Sequence, residues 1–71
     1  MTKNEKREVI EKYIADFSQT KFDEPFRARL LPYQALAESL GLKMWHQGGV
    51  FEFRTIKGPM PGRLIASERL I

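Results

Sequence analysis

Ala35-Leu36-Ala37-Glu38-Ser39-Leu40-Gly41-Leu42-Lys43-Met44-Trp45-His46-Gln47-Gly48-Gly49-Val50-Phe51-Glu52-Phe53-Arg54 reads as a helix stopped by a glycine that runs directly into a glycine-turned hairpin. Ala35–Leu42 alone looks like the first helix of a helix-turn-helix, which needs a second helix after a turn of roughly 3–4 residues. The chain continues instead with Lys43, Met44, Trp45 and His46, then a glycine pair, then alternating aromatics. That is strand chemistry. The stretch is better explained as a helix packed on a small sheet.

The glycine pair fixes the register. If Gly48-Gly49 form a two-residue turn of the primed type, Gln47 opposes Val50, His46 opposes Phe51, Trp45 opposes Glu52, Met44 opposes Phe53 and Leu42 opposes Thr55. Directly opposed residues share a face. One face is then Leu42, Met44, His46, Phe51, Phe53 and Thr55, largely apolar and expected to lie on the helices. The other is Lys43, Trp45, Gln47, Val50, Glu52, Arg54 and Ile56. A slip of one residue would exchange the two faces, so the assignment depends on that turn.

Upstream, Val9, Ile10, Tyr13, Ile14 and Phe17 form one apolar stripe at helical period. The opposite side carries oppositely charged pairs four apart, Arg7 with Glu11, Glu8 with Lys12 and Lys12 with Asp16, which read as a solvated face. Thr2 and Glu5 are spaced as a capping box, with Asn4 an equally good cap. A helix over about residues 5–18 is expected. Ser18 to Asp23 is polar and connective, with Phe22 as its anchor. Glu24-Pro25 marks a second helix start, and the second helix runs over about 25–40. Pro32 predicts a break or kink, because an interior proline removes a hydrogen bond and clashes with the preceding turn. Tyr33, Leu36, Ala37 and Leu40 form its apolar face, and Gly41 sits where a left-handed cap is wanted. The expected core joins Leu42, Met44, Phe51 and Phe53 to Val9, Ile14, Phe17, Leu36 and Leu40.

Downstream, Gly58-Pro59-Met60-Pro61-Gly62 reads as a loop. Residues 63–67 read as a third strand, because a lone hairpin is marginally stable. Ser67 to Ile71 is left as a turn of helix or a frayed end. The chain of 71 residues is thus expected to be a single small α+β domain, residues 1–71, with two helices packed on a two- to three-stranded antiparallel sheet. That is near the size at which one core only just suffices.

Composition narrows the function classes. There is no cysteine, so neither disulfides nor thiolate metal sites are expected. No apolar run approaches the ~18 residues of a membrane span, and the first residues lack the apolar segment of a signal peptide. A soluble cytoplasmic protein with no membrane association is expected. One histidine and scattered carboxylates make no nucleophile–base set, so no catalytic residue, metal site or cofactor is expected. His46 reads as half-buried and satisfied, and Gly48-Gly49 lacks the Lys-Ser/Thr of a phosphate loop. The net charge of +3 is uneven: residues 1–24 carry five basic and six acidic side chains, residues 25–71 seven basic and three acidic. A basic C-terminal portion suits an anionic partner, most often nucleic acid, although a merely lysine- and arginine-rich surface gives the same count.

From Val9 to Lys57 the order helix, Phe- and Pro-containing connector, helix ending Leu36-Ala37-Glu38-Ser39-Leu40-Gly41-Leu42, strand, glycine turn, strand resembles the Arg-x-x-x-His domain family. The similarity lies in Ile10–Ile14, in Leu36–Leu42 and in Gly48-Gly49 before Phe51–Ile56. It implies two helices on a three-stranded antiparallel sheet and an association with single-stranded DNA and RNA. In that alignment the family's arginine and histidine fall at Leu30 and Gln34. Arg29 lies one residue out and Pro32 between them, so no functional residue of the family carries over.

The expected function is non-enzymatic binding of single-stranded DNA or RNA. Trp45 would stack on a base, while Lys43, Arg54 and Lys57 on the hairpin and Arg27 and Arg29 on the second helix would contact phosphates. The alternative for Trp45 is packing beneath residues 58–62 or beneath the C-terminal segment. The alternative function is a small protein-interaction module, a regulator, an inhibitor or a homodimer, using Trp45, Val50 and Ile56 as an apolar hot spot. A winged-helix reading, with the hairpin as wing, would need the second helix in the groove.

Overall fold

A computed structural model describes residues 1–18 and 25–70; the connector around Phe22 lies outside the described residues. Two helices, α1 (Lys3–Ser18) and α2 (Pro25–Ser39), precede three strands, β1 (Leu42–Gln47), β2 (Val50–Lys57) and β3 (Met60–Arg69). The strands form one antiparallel sheet in the order β1-β2-β3. The protein is an α+β domain, with α2 lying against β1 and α1 against β3. Among the described residues no helix is long and apolar enough to cross a membrane.

Local chemistry sets the element ends. The capping box closes at Thr2: its hydroxyl accepts from the Glu5 backbone N–H at 3.1 Å, and Glu5 Oε1 accepts from the Thr2 N–H at 3.1 Å. Two of the orphan donors of α1 are thereby satisfied. Gly41 ends α2 at φ 70, the left-handed conformation that costs any other residue more. Gly48 and Gly49 take φ of 59 and 82, the primed turn, and the β1–β2 register is the expected one from Leu42↔Thr55 to Gln47↔Val50. A Cβ at Gly48 would meet open space, so Gly48→Val isolates backbone strain. It should lower stability by roughly 1–2 kcal/mol, and a denaturant midpoint equal to the parent's would show that the turn does not pin the register.

The core is organised around Tyr33. It is fully buried together with Ile10, Phe51 and Phe53, and Ala37, Leu42, Ile65 and Ala66 complete the cluster. Its ring lies 5.3 Å from Phe51, 5.5 Å from Phe53, 5.4 Å from Phe17 and 6.0 Å from Tyr13, centroid to centroid. Most of these contacts are the tilted or edge-on arrangements that aromatic quadrupoles favour. Ile14, Leu36, Leu40 and Met44 pack around this centre.

Five expectations are corrected. Val9 is exposed; it sits at the margin of the stripe whose centre is Ile10. The helix α2 runs through Pro32 without a break. Arg29, Tyr33 and Ala37, one turn apart on its buried side, offset the lost hydrogen bond through tertiary packing. Residues 58–62 are not a loop: Gly58 at φ 58 and Pro59 make a two-residue turn, and β3 already begins at Met60. Strand structure also continues past 67 to Arg69. Finally, Arg7 does not simply join a solvated face. Its Nε donates to the Ile65 carbonyl at 2.8 Å.

That last bond belongs to an irregular strand. Between Phe53 and Ile56 the β2–β3 register shifts twice, from Phe53↔Ala66 to Arg54↔Leu64 and on to Ile56↔Pro61. Each shift puts one extra residue into β3, a bulge that interrupts the ladder. The first turns Ile65 and Ala66 both inward and directs a carbonyl to Arg7. At the second, the Arg63 N–H is satisfied by the Thr55 hydroxyl at 2.8 Å. Gly62 is required there, since a Cβ would come within 2.5 Å of the Thr55 carbonyl oxygen.

Candidate functional site

Both helices occupy one side of the sheet, so the alternate residues of all three strands form an uncovered face. Its rows follow from the register: Gln47, Val50 and Arg69; Trp45, Glu52 and Ser67; Lys43, Arg54 and Leu64; Ile56 and Pro61. Residues two apart on a strand are separated by about 6–7 Å, so the face is a graded platform several side chains long. Trp45, Gln47, Val50, Glu52, Arg54, Ser67 and Arg69 line a shallow groove of about 730 Å³ on it.

Trp45 is 38% exposed. It borders a second small cleft with Ile56, Gly58, Pro59, Met60 and Pro61 of the β2–β3 turn region. The Lys43 ammonium stands 6.0 Å from the indole centroid, at the outer limit of a cation–π contact. Trp45 is thus a large aromatic held partly exposed at a surface with a cation next to it.

Arg54 is engaged within the sheet. Its Nε and Nη2 donate to Glu52 Oε1 and Oε2 at 3.1 and 3.3 Å, and its Nη1 donates to the Gly62 carbonyl at 3.0 Å. This fork ties three successive features together: the Glu52 carboxylate, the arginine, and the bulged part of β3. Arg54 therefore holds Glu52 in place before it meets any ligand.

The expected site residues divide. Lys43, Trp45 and Arg54 share the open face. Lys57 is exposed at the end of β2, but on the helix-facing alternation, so it does not share the open face. Arg27 is exposed on α2, in the other layer, and does not join them. Arg29 is a correction: it is 7% exposed and turned into the core. Its Nε donates to Glu68 Oε1 at 2.8 Å and its guanidinium lies 5.4 Å from the Phe17 ring centroid. His46, expected to be half-buried, is exposed. It faces Phe51 at 5.8 Å, but β1 is an edge strand and leaves the imidazole open to solvent. Sequence reading missed Arg69, whose place on the face follows once β3 is carried beyond 67, and Ser67, whose place follows from its pairing with Glu52. Among the described residues no three His, Asp or Glu side chains gather as a metal-binding group.

Behind the face, the Tyr33 hydroxyl donates to the same Glu68 Oε1 at 2.7 Å. Burial first, then Glu68, raises the Tyr33 hydroxyl well above the ordinary tyrosine value, with Arg29 pulling partly the other way. For Arg29, burial opposes the charge, but Glu68 outweighs it and raises the guanidinium above its ordinary value. Below the tyrosine reference of about 10 both folded and unfolded chains keep the Tyr33 proton, and the stabilisation is complete. Above it the unfolded chain loses the proton while the folded one retains it, so stability falls as pH rises. Melting temperatures followed upward from neutral pH should show an alkaline decline that Tyr33→Phe removes in large part. An identical decline in that variant would assign it to other groups.

Neither a family model, nor a curated protein, nor a solved structure matches this chain.

Proposed function

We propose that this domain binds single-stranded nucleic acid, DNA or RNA, on the open face of its sheet, as a non-catalytic cytoplasmic module. The observation that carries the reading is an exposed tryptophan on an uncovered sheet face in the part of the chain that holds the positive charge. Residues 42–69 contain five basic and two acidic side chains, whereas α1 contains four of each. Single-strand binders combine these features, an aromatic on which a base stacks and cations that follow the backbone. Lys43 and Arg69 stand on the face, and they would meet phosphates around a base on Trp45, with Lys57 at the end of β2 reaching only a strand that passes the turn. Arg27 and Arg29 have no part in this reading. The resemblance to the Arg-x-x-x-His domain points toward the same ligand, although the motif positions hold Leu30 and Gln34.

Trp45 is the only tryptophan, so intrinsic fluorescence reports on the site alone. Titration with single-stranded DNA and RNA should quench it, with an affinity that falls steeply with salt. Trp45→Ala should leave the melting temperature nearly unchanged and weaken binding, read by anisotropy of a labelled strand, by roughly 1–3 kcal/mol. Lys43→Ala should flatten the salt slope by about one phosphate contact. Unfolding of Trp45→Ala would make the indole part of the core and remove the stacking role.

A second reading is favoured by the apolar margin of the face: Ile56 and Met60 are 64% and 68% exposed beside Trp45. A small interaction module docking on another protein would use those residues as its anchor. Absence of nucleic-acid binding, together with a dimer or a co-purifying protein in size-exclusion chromatography, would support it.

A further inference from the structure

We propose that the open face selects the base it stacks, preferring cytosine to uracil through the carboxylate of Glu52. The inference rests on the nucleic-acid reading above and concerns the same groove. Glu52 is the residue directly opposite Trp45, and directly opposed side chains stand about 4.5–5.5 Å apart at Cβ. A pyrimidine stacked on the indole brings its hydrogen-bonding edge to this carboxylate. An acidic side chain beside a nucleic-acid platform is unfavourable for phosphate, so its presence at the centre of a basic face calls for a base rather than the backbone.

The carboxylate is pre-positioned for that task. Arg54 grips both of its oxygens and is itself anchored on the Gly62 carbonyl. An ionised carboxylate has about four lone-pair sites, and the Arg54 fork takes two. The remaining ones accept only donors. Cytosine presents the exocyclic N4 amine, the group acidic side chains accept from in base recognition. Uracil presents the O4 carbonyl at that position, so lone pairs face lone pairs. Held by Arg54, the carboxylate cannot turn away without breaking the fork, which makes Arg54 a positioning residue for Glu52.

The test is Trp45 fluorescence quenching by oligodeoxycytidine and oligodeoxyuridine of equal length, at one salt concentration and mildly alkaline pH. The cytidine strand should bind about tenfold more tightly. An oligomer of pyrimidin-2-one, which keeps the ring and lacks the amine, should lose most of that advantage on the parent protein, a result independent of any variant's folding. Glu52→Gln presents both a donor and an acceptor and should bring the two natural strands to within about twofold. Equal binding of cytidine and uridine strands by the parent would overturn the selectivity while leaving nucleic-acid binding in place. An undiminished preference in Glu52→Gln would overturn the role of Glu52. Quenching by neither strand would remove the nucleic-acid reading, and this inference with it.

Discussion

Replacing Glu68 by alanine should destabilise the domain by about 3–5 kcal/mol, enough to unfold much of a chain whose total stability lies near the lower end of roughly 5–15 kcal/mol. Glu68 stands on β3 opposite Phe51, facing the helices. One of its oxygens accepts from both Arg29 and Tyr33, at 2.8 and 2.7 Å. The side chains of Arg29 and Glu68 are 8% and 12% exposed, so alanine would remove a counter-charge 2.8 Å from a guanidinium that water barely reaches. Breaking such a pair is costly because the remaining charge is left in a poorly solvated place, not because the pair is strongly net stabilising. A triple variant, Arg29→Met with Glu68→Leu and Tyr33→Phe, removes these three groups together and should recover most of the loss. Chemical denaturation of the single, double and triple variants measures this coupling directly. A Glu68→Ala protein with the parent's midpoint would show that the ion pair carries little of the packing of β3 on α2.

The ion pair also marks where sequence reading reaches its limit. The hairpin was legible because one glycine pair supplies both positive φ values, and strict alternation on either side then leaves one apolar face. The capping box and the Gly41 stop were legible for the same reason, being local chemistry with one geometric solution. Strand β3 was not. Met60-Pro61-Gly62 contains two residues that normally argue against a strand, and proline is tolerated here because β3 lies at the sheet edge. The first of its two bulges buries adjacent Ile65 and Ala66, a pattern no alternation anticipates. With β3 cut short at residue 67, Glu68 had no place in the fold. Arg29 then looked like a surface cation, and Arg69 was missed from the open face. The continuous α2 has a related cause: propensity allowed a break or a kink at Pro32, and the burial of Tyr33 between two helices and two strands overrode the break.

Truncation of Phe53 to alanine should cost about 3–5 kcal/mol, the second large effect and the one that tests the face assignment. Phe53 is fully buried at the middle of the central strand, paired with Met44 on one side and Ala66 on the other. Its ring lies 5.5 Å from Tyr33, so the vacated volume would open beside the residue on which the whole core converges. Collapse into it is limited, because Ala66 is small and Tyr33 is tethered through its hydroxyl to Glu68. A cavity that cannot close carries the transfer loss and the cavity loss together. Phe53→Leu, which keeps much of the volume, should fall well short of that cost. The pair of variants bears on function as well as stability. Phe53 and Trp45 stand on opposite alternations of one hairpin, so a buried Phe53 requires Trp45 on the open face. If Phe53→Ala melts like the parent, the register has slipped and Trp45 belongs to the core. If it unfolds while Trp45→Ala does not, the indole is held at the surface by the same alternation that buries the phenylalanine, and its role must be sought in what it touches outside the chain.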